Sequence, residues 1–116
     1  MPKDRITPSP VKWDFDLLLL AVLQDGSNHG YAVMAALKER SDGAFDLPEG
    51  TVYPALHRLE HQGLLRSTWE SVNGRRRRIY QLTATGARAL AGGRSRWASF
   101  VTAVDSVLSP SAPRLA

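Results

Sequence analysis

Thr51, Tyr53, Pro54, His57 and Arg58 fall on the polar side of one short amphipathic segment, and Arg75, Arg76, Arg77 and Arg78 follow in an unbroken run downstream. These side chains suit binding a polyanion. A guanidinium at Arg58 fits a guanine edge or a phosphate, and His57 can serve either as a donor. The Tyr53 hydroxyl can donate to phosphate while its ring packs on sugar. A helix face of this kind beside a basic hairpin matches a winged helix on duplex DNA, with the helix in the major groove and the hairpin on the flanking backbone. Lys38, one helix earlier, lies on the same presumed side. The competing reading is a solvated polar face, with at least one wing arginine paired to Glu70. Arg75 and Arg77 share one strand face and Arg76 and Arg78 the other, so not all four can touch DNA.

Charge placement supports a polyanion. The 116 residues carry a net +4, but residues 1–57 sum to −3, residues 58–96 to +7 and residues 97–116 to zero. A membrane surface would want those basic residues on an amphipathic helix with large apolar residues opposite. Four of them fall on a strand instead. The longest apolar run, residues 17–23, is about a third of the roughly 20 residues that span a bilayer. The N-terminus lacks the apolar core of a signal peptide. With no cysteine there is no disulfide, thiol redox or cysteine-zinc chemistry, which fits a cytoplasmic protein. His57 and His61 stand at i, i+4, but no third ligand is evident nearby, so neither metal nor other cofactor is expected. No serine or carboxylate constellation suggests catalysis, so an enzyme is not expected.

The surrounding elements must position these groups. Residues 1–12 hold three prolines and read as a flexible arm. Asp14 or Asp16 can cap a first helix that is almost wholly apolar over residues 17–23. Residues 24–28 are turn chemistry. A second helix over residues 29–40 has Tyr31, Met34, Ala35 and Leu37 near helical spacing. Phe45 and Leu47 alternate in an extended piece. A third helix opens at Pro48 or Glu49 and closes at Gly63, with Val52, Leu56 and Leu59 inward. If it starts as early as Glu49, Pro54 should distort it locally. Residues 64–71 and 76–82 read as strands around Asn73-Gly74. Thr83 caps a last helix over residues 83–108.

The fold class is therefore mainly α with a small β-hairpin. A winged helix-turn-helix occupies residues 13–83, a long C-terminal helix residues 84–108, and a tail residues 109–116. That helix is too long for so small a core. Leu90, Trp97, Val101, Val104 and Leu108 form a coiled-coil-like seam, interrupted by Arg94, and Gly92-Gly93 can kink it. A buried seam needs a partner, and the simplest is a second copy in a two-fold homodimer.

Individual motifs then resemble those of the PadR-family transcriptional regulators. These are His29-Gly30-Tyr31, Gly43-Ala44-Phe45, Glu49-Gly50-Thr51-Val52-Tyr53-Pro54-Ala55-Leu56, Arg58-Leu59-Glu60, Gly63-Leu64, Trp69-Glu70, the arginine run, Tyr80-Gln81-Leu82-Thr83 and Gly86. The resemblance covers about residues 16–90, within the branch that has one short C-terminal helix. Pro48-Glu49, where a Ser-Pro pair is commoner, and Gly92-Gly93 depart from the pattern. The resemblance implies a dimeric repressor on a double-stranded DNA operator, released by a ligand or signal. Some members bind flat apolar compounds between the C-terminal helices, which makes Trp97 and Trp13 candidates for a small apolar or aromatic effector. The other reading of Trp97 is packing in the seam, and Trp69 reads as hairpin packing. From another class, the alternative is a winged helix that meets an acidic protein partner.

Overall fold

The computed structural model describes residues 15–111. The expectations for the arm, Trp13, Asp14 and residues 112–116 lie outside the described residues. The element order is α1 (Asp16–Gln24), β1 (Asn28–His29), α2 (Gly30–Arg40), α3 (Glu49–His61), β2 (Leu65–Val72), β3 (Arg75–Leu82) and α4 (Ala84–Leu108). The fold is mainly helical, with a small antiparallel sheet.

The leucine run makes α1 the centre of the core, because it has apolar residues on nearly every side. Leu17, Leu19, Leu20, Val22 and Leu23 are buried, together with Val33 and Leu37 of α2, Val52, Ala55, Leu56 and Leu59 of α3, Leu65 and Tyr80 of the sheet, and Leu90 of α4. No side chain caps α1: its N-cap is Phe15, and Asp16 turns inward and is buried. On α2 the inward residues are Gly30, Val33 and Leu37, while Tyr31 is 66 % exposed and Ala35 is exposed. Of the four residues expected inward, Leu37 is buried and Met34 packs against the core, while Tyr31 and Ala35 face out and Val33 takes the inner position.

Asn73 and Gly74 both take positive φ, 52° and 77°, the pairing that a tight two-residue hairpin of matching twist requires. Val72 faces Arg75 at that turn, and the register runs down to Leu65 against Leu82. A third strand was not foreseen. Asn28 and His29 pair with Tyr80 and Ile79, so the sheet order is β1-β3-β2. Two residues are too few to show an alternating pattern, and the free edge of β3 supplies their partner.

Thr83 caps α4 as expected, accepting from the Gly86 N–H at 2.9 Å. Its hydroxyl also donates to the Gly63 carbonyl at 2.7 Å, which ties this start to the end of α3. Gly63 is the C′ glycine of α3 at φ 77°, with the Gly63 and Leu64 amides returning to the Glu60 and Leu59 carbonyls. Leu90 needs correction: it is wholly buried in the protomer's own core and cannot serve a seam between copies. α4 is one helix through Gly92-Gly93. Gly93 is there for close approach, since a side chain on it would overlap Leu17 of α1. Past Gly93, α4 buries no residue. Trp97, Phe100, Val101, Val107 and Leu108 are exposed to varying degrees, and the Trp97 and Phe100 rings stack with centroids 5.7 Å apart.

Candidate nucleic-acid interface

The helix α3 runs unbroken from Glu49, so Pro54 lies inside it rather than at its first turn. Proline removes the bond to the Gly50 carbonyl, but Gly50 is exposed and water can take that acceptor. With Val52, Ala55, Leu56 and Leu59 inward, the outward face carries Pro54, His57 and His61, flanked by half-buried Thr51 and Tyr53. Gly30 positions Tyr53, since a β-carbon at residue 30 would strike the tyrosine ring. His29 in turn caps α2, its Nδ1 accepting from the Ala32 N–H at 3.0 Å. The His-Gly-Tyr motif thus starts α2 and seats the Tyr53 ring. His57 stands 6.4 Å from the Tyr80 ring, centroid to centroid. Burial raises the Tyr80 phenol above its ordinary pKa, opposed by the nearby Arg78 charge, so Tyr80 is a neutral packing residue at physiological pH.

One cleft is lined by His29, Gly30 and Tyr31 at the start of α2, by Tyr53 of α3, and by Val72, Asn73 and all four arginines of the hairpin, which forms the wing. The arginines divide by strand face. Arg77 pairs with Glu70 at 3.4 Å, both half exposed. Such a pair stabilises by about 0–1 kcal/mol and can open toward a phosphate. Arg75, opposite Val72, has no ion pair among the described residues. On the other face Arg76 and Arg78 lie over the Trp69 ring, 4.6 and 5.4 Å from its centroid. Each such contact contributes about 0.5–1 kcal/mol at an exposed site and keeps the charge available to solvent. Trp69 is therefore an arginine platform as well as hairpin packing.

Arg78 is further engaged. Its Nε donates to Ser67 Oγ at 2.7 Å, its Nη2 lies 3.4 Å from Glu60, and Ser67 donates to Glu60 at 2.5 Å. The wing is thereby fastened to the last turn of α3. Arg75 and Arg76 remain the most available charges near the wing tip.

Arg58 of α3 is turned partly inward. Its Nη2 pairs with the buried carboxylate of Asp16, and its side chain is 37 % exposed. Lys38 pairs with Asp46 at 3.5 Å, with both side chains exposed, and lines a separate cleft with Met34 and Leu47. Among the described residues no group of three or more His, Cys, Asp or Glu side chains is placed to hold a metal ion. No helix among them is long and apolar enough to cross a membrane. Sequence reasoning missed Asp16, Gly30 and Phe100. Phe100, three residues after Trp97, carried a helical-spacing signal; Asp16 read as a cap, and Gly30 as a motif position without a packing reason.

Residues 19–92 match the transcriptional regulator PadR-like family. A transcriptional regulator of Mycobacterium tuberculosis is 43 % identical over 67 residues, 58 % of this chain and 50 % of that one. The chain thus spans about half the length of this curated relative. A solved PadR family transcription regulator from Clostridium difficile superposes with a TM-score of 0.71 at 30 % identity, over 82 % of this chain and 98 % of that chain. A transcriptional regulator from Clostridium thermocellum superposes with a TM-score of 0.79 at 23 % identity, over 84 % and 95 %, which supports the fold alone.

Proposed function

This chain belongs to the PadR-like family of transcriptional regulators, and from that premise we propose that it is a sequence-specific DNA-binding repressor, acting as a homodimer on a two-fold operator in the cytoplasm. One observation carries the reading: Tyr53 of α3 and the wing arginines line the same cleft. A duplex that receives α3 in its major groove brings its adjoining backbone to the wing. Tyr53, Pro54, His57 and Thr51 then face bases and sugars. Arg75 and Arg76 meet phosphate or the minor groove, Arg77 joins them by leaving Glu70, and Lys38 flanks the site. Arg58 and Arg78 act as supports.

Dimerisation through Trp97, Val101, Val104 and Leu108 is supported by the exposure of the last turns of α4, where Val107 and Leu108 are 83 % and 75 % exposed. Leu90 drops out of that set and Phe100 joins it. A small apolar or aromatic effector beside Trp97 is the signal this surface suits best, because redox sensing lacks a cysteine and metal sensing lacks a third ligand among the described residues. It acts by preferring the DNA-free spacing of the two recognition helices.

The test is fluorescence anisotropy of a labelled random duplex of about 30 base pairs, room for two half-sites. Binding that weakens steeply with salt is expected. No binding even at low salt, with capture of an acidic protein partner instead, would move the wing to protein–protein contact.

A further inference from the structure

Asp16 is 2 % exposed within a helix made of leucines. A carboxylate so placed needs a paired charge, and Arg58 of α3 provides it. Arg58 Nε is itself buried with no hydrogen-bond partner, so this arginine is drawn into the protein at some cost. The next residue, Leu17, faces α4: its Cδ1 occupies the space a side chain at Gly93 would need. Arg94 reaches back to Gln24 at the other end of α1, donating at 2.7 Å. Thus α1 is held to α4 on one side and to the recognition helix on the other, through adjacent residues.

We propose that Asp16 is a positioning residue for DNA recognition, setting through Arg58 the roll of α3 relative to α4. The proposal rests on the DNA-binding reading above. Three considerations carry it. Apart from Glu60, whose polar tie goes to the wing, the buried anchors of α3, Val52, Ala55, Leu56 and Leu59, are apolar, and apolar burial is non-directional. An arginine–carboxylate pair is directional and fixes geometry as well as contact. Arg58 lies one turn after Pro54 and next to His57, so its inward hold determines how far those outward side chains project. Stability alone does not call for the pair, since well-packed apolar residues often serve a buried site as well or better. In a dimer joined through α4, the same link sets the distance between the two reading faces.

The test compares two labelled duplexes of about 30 base pairs: one enriched from a random pool by the wild-type protein, the other the unselected pool. Wild type, Asp16→Asn, Arg58→Gln and the double variant are titrated by anisotropy, with circular dichroism and melting to verify folding. Each single variant is expected to lose about tenfold in affinity for the enriched duplex and to stay within about threefold on the pool. The double variant should lose no more than either single, because both cut one link. Wild-type behaviour of Asp16→Asn beside a loss in Arg58→Gln overturns the proposal and makes Arg58 a direct reader. Equal losses on both duplexes, or additive losses in the double variant, also overturn it. If the single variants do not fold, Asp16→Leu with Arg58→Met keeps an apolar contact without direction. That variant should fold and discriminate poorly, and full discrimination by it overturns the proposal. Wild type that binds neither duplex overturns the DNA reading, and this proposal with it.

Discussion

Glu60 and Arg78 join α3 to the wing: their charged ends lie 3.4 Å apart, and the Ser67 hydroxyl bridges them. The wing therefore does not hang from its two strands alone. Glu60→Ala leaves Arg78 over Trp69 without its carboxylate. Because Arg78 and Glu60 keep 40 % and 26 % of their side chains exposed, the pair is partly screened and the stability loss should be small, about 1 kcal/mol in urea denaturation. The DNA consequence should be larger, with weaker binding to all duplexes and more mobile amides around Asn73-Gly74 in hydrogen exchange. An unchanged exchange pattern would show that the bridge does not hold the wing.

Neighbouring glycines of α4 should respond oppositely to the same substitution. A β-carbon at Gly92 meets only the flexible end of Arg96, 3.4 Å away. Gly92→Ala should stabilise by about 0.5–1 kcal/mol, since alanine loses less entropy in a helix. Gly93→Ala must displace Leu17 and should cost about 1–3 kcal/mol. Thermal melting of the two variants decides this; a shift of the same sign in both would contradict the packing of α1 on α4.

Assembly and folding separate along the same helix. The protein should sediment as a dimer at micromolar concentration. Val101→Asp with Val104→Asp should yield folded monomers, because unpaired charge in an apolar seam is costly. Leu90→Ala should instead lower the melting temperature while leaving the dimer, at a cost of about 2–5 kcal/mol for a cavity in the core. Monomers from Leu90→Ala at unchanged stability would return Leu90 to the seam.

The wing charges should be unequal. Arg75→Ala and Arg76→Ala should each reduce the slope of log affinity against log salt by about one ion, the signature of a lost phosphate contact. Arg58→Ala should leave the slope unchanged, because its guanidinium is on Asp16. Anisotropy titrations over a salt series give the slopes, and a reduced slope for Arg58→Ala would place that side chain on the backbone.

Much of this architecture was legible in the sequence because it rests on local rules. Asn73-Gly74, Thr83, Gly63 and the Val52-Leu56-Leu59 stripe each announce a turn, a cap or a buried face within a few residues. What escaped depends on residues distant along the chain. Asp16 and Arg58 are far apart in sequence, and nothing local distinguishes a buried carboxylate from a capping one. Leu90 repeats at seven with Trp97, yet only the packing of α1 on the first half of α4 reveals that Leu90 belongs to the protomer's own core. β1 exists because β3 offers an edge, and the need for glycine at residue 30 comes from the Tyr53 ring of α3, which a side chain there would strike.

The most direct test of the central claim is sequencing of duplexes that the wild-type protein retains from a random pool, with His57→Ala in parallel. A two-fold motif is expected, with half-sites about one or two helical turns apart, and His57→Ala should relax preference at particular base pairs within each half. No enrichment over the input pool, or an identical motif from both proteins with Tyr53→Ala behaving likewise, would contradict the claim that the outward face of α3 reads DNA.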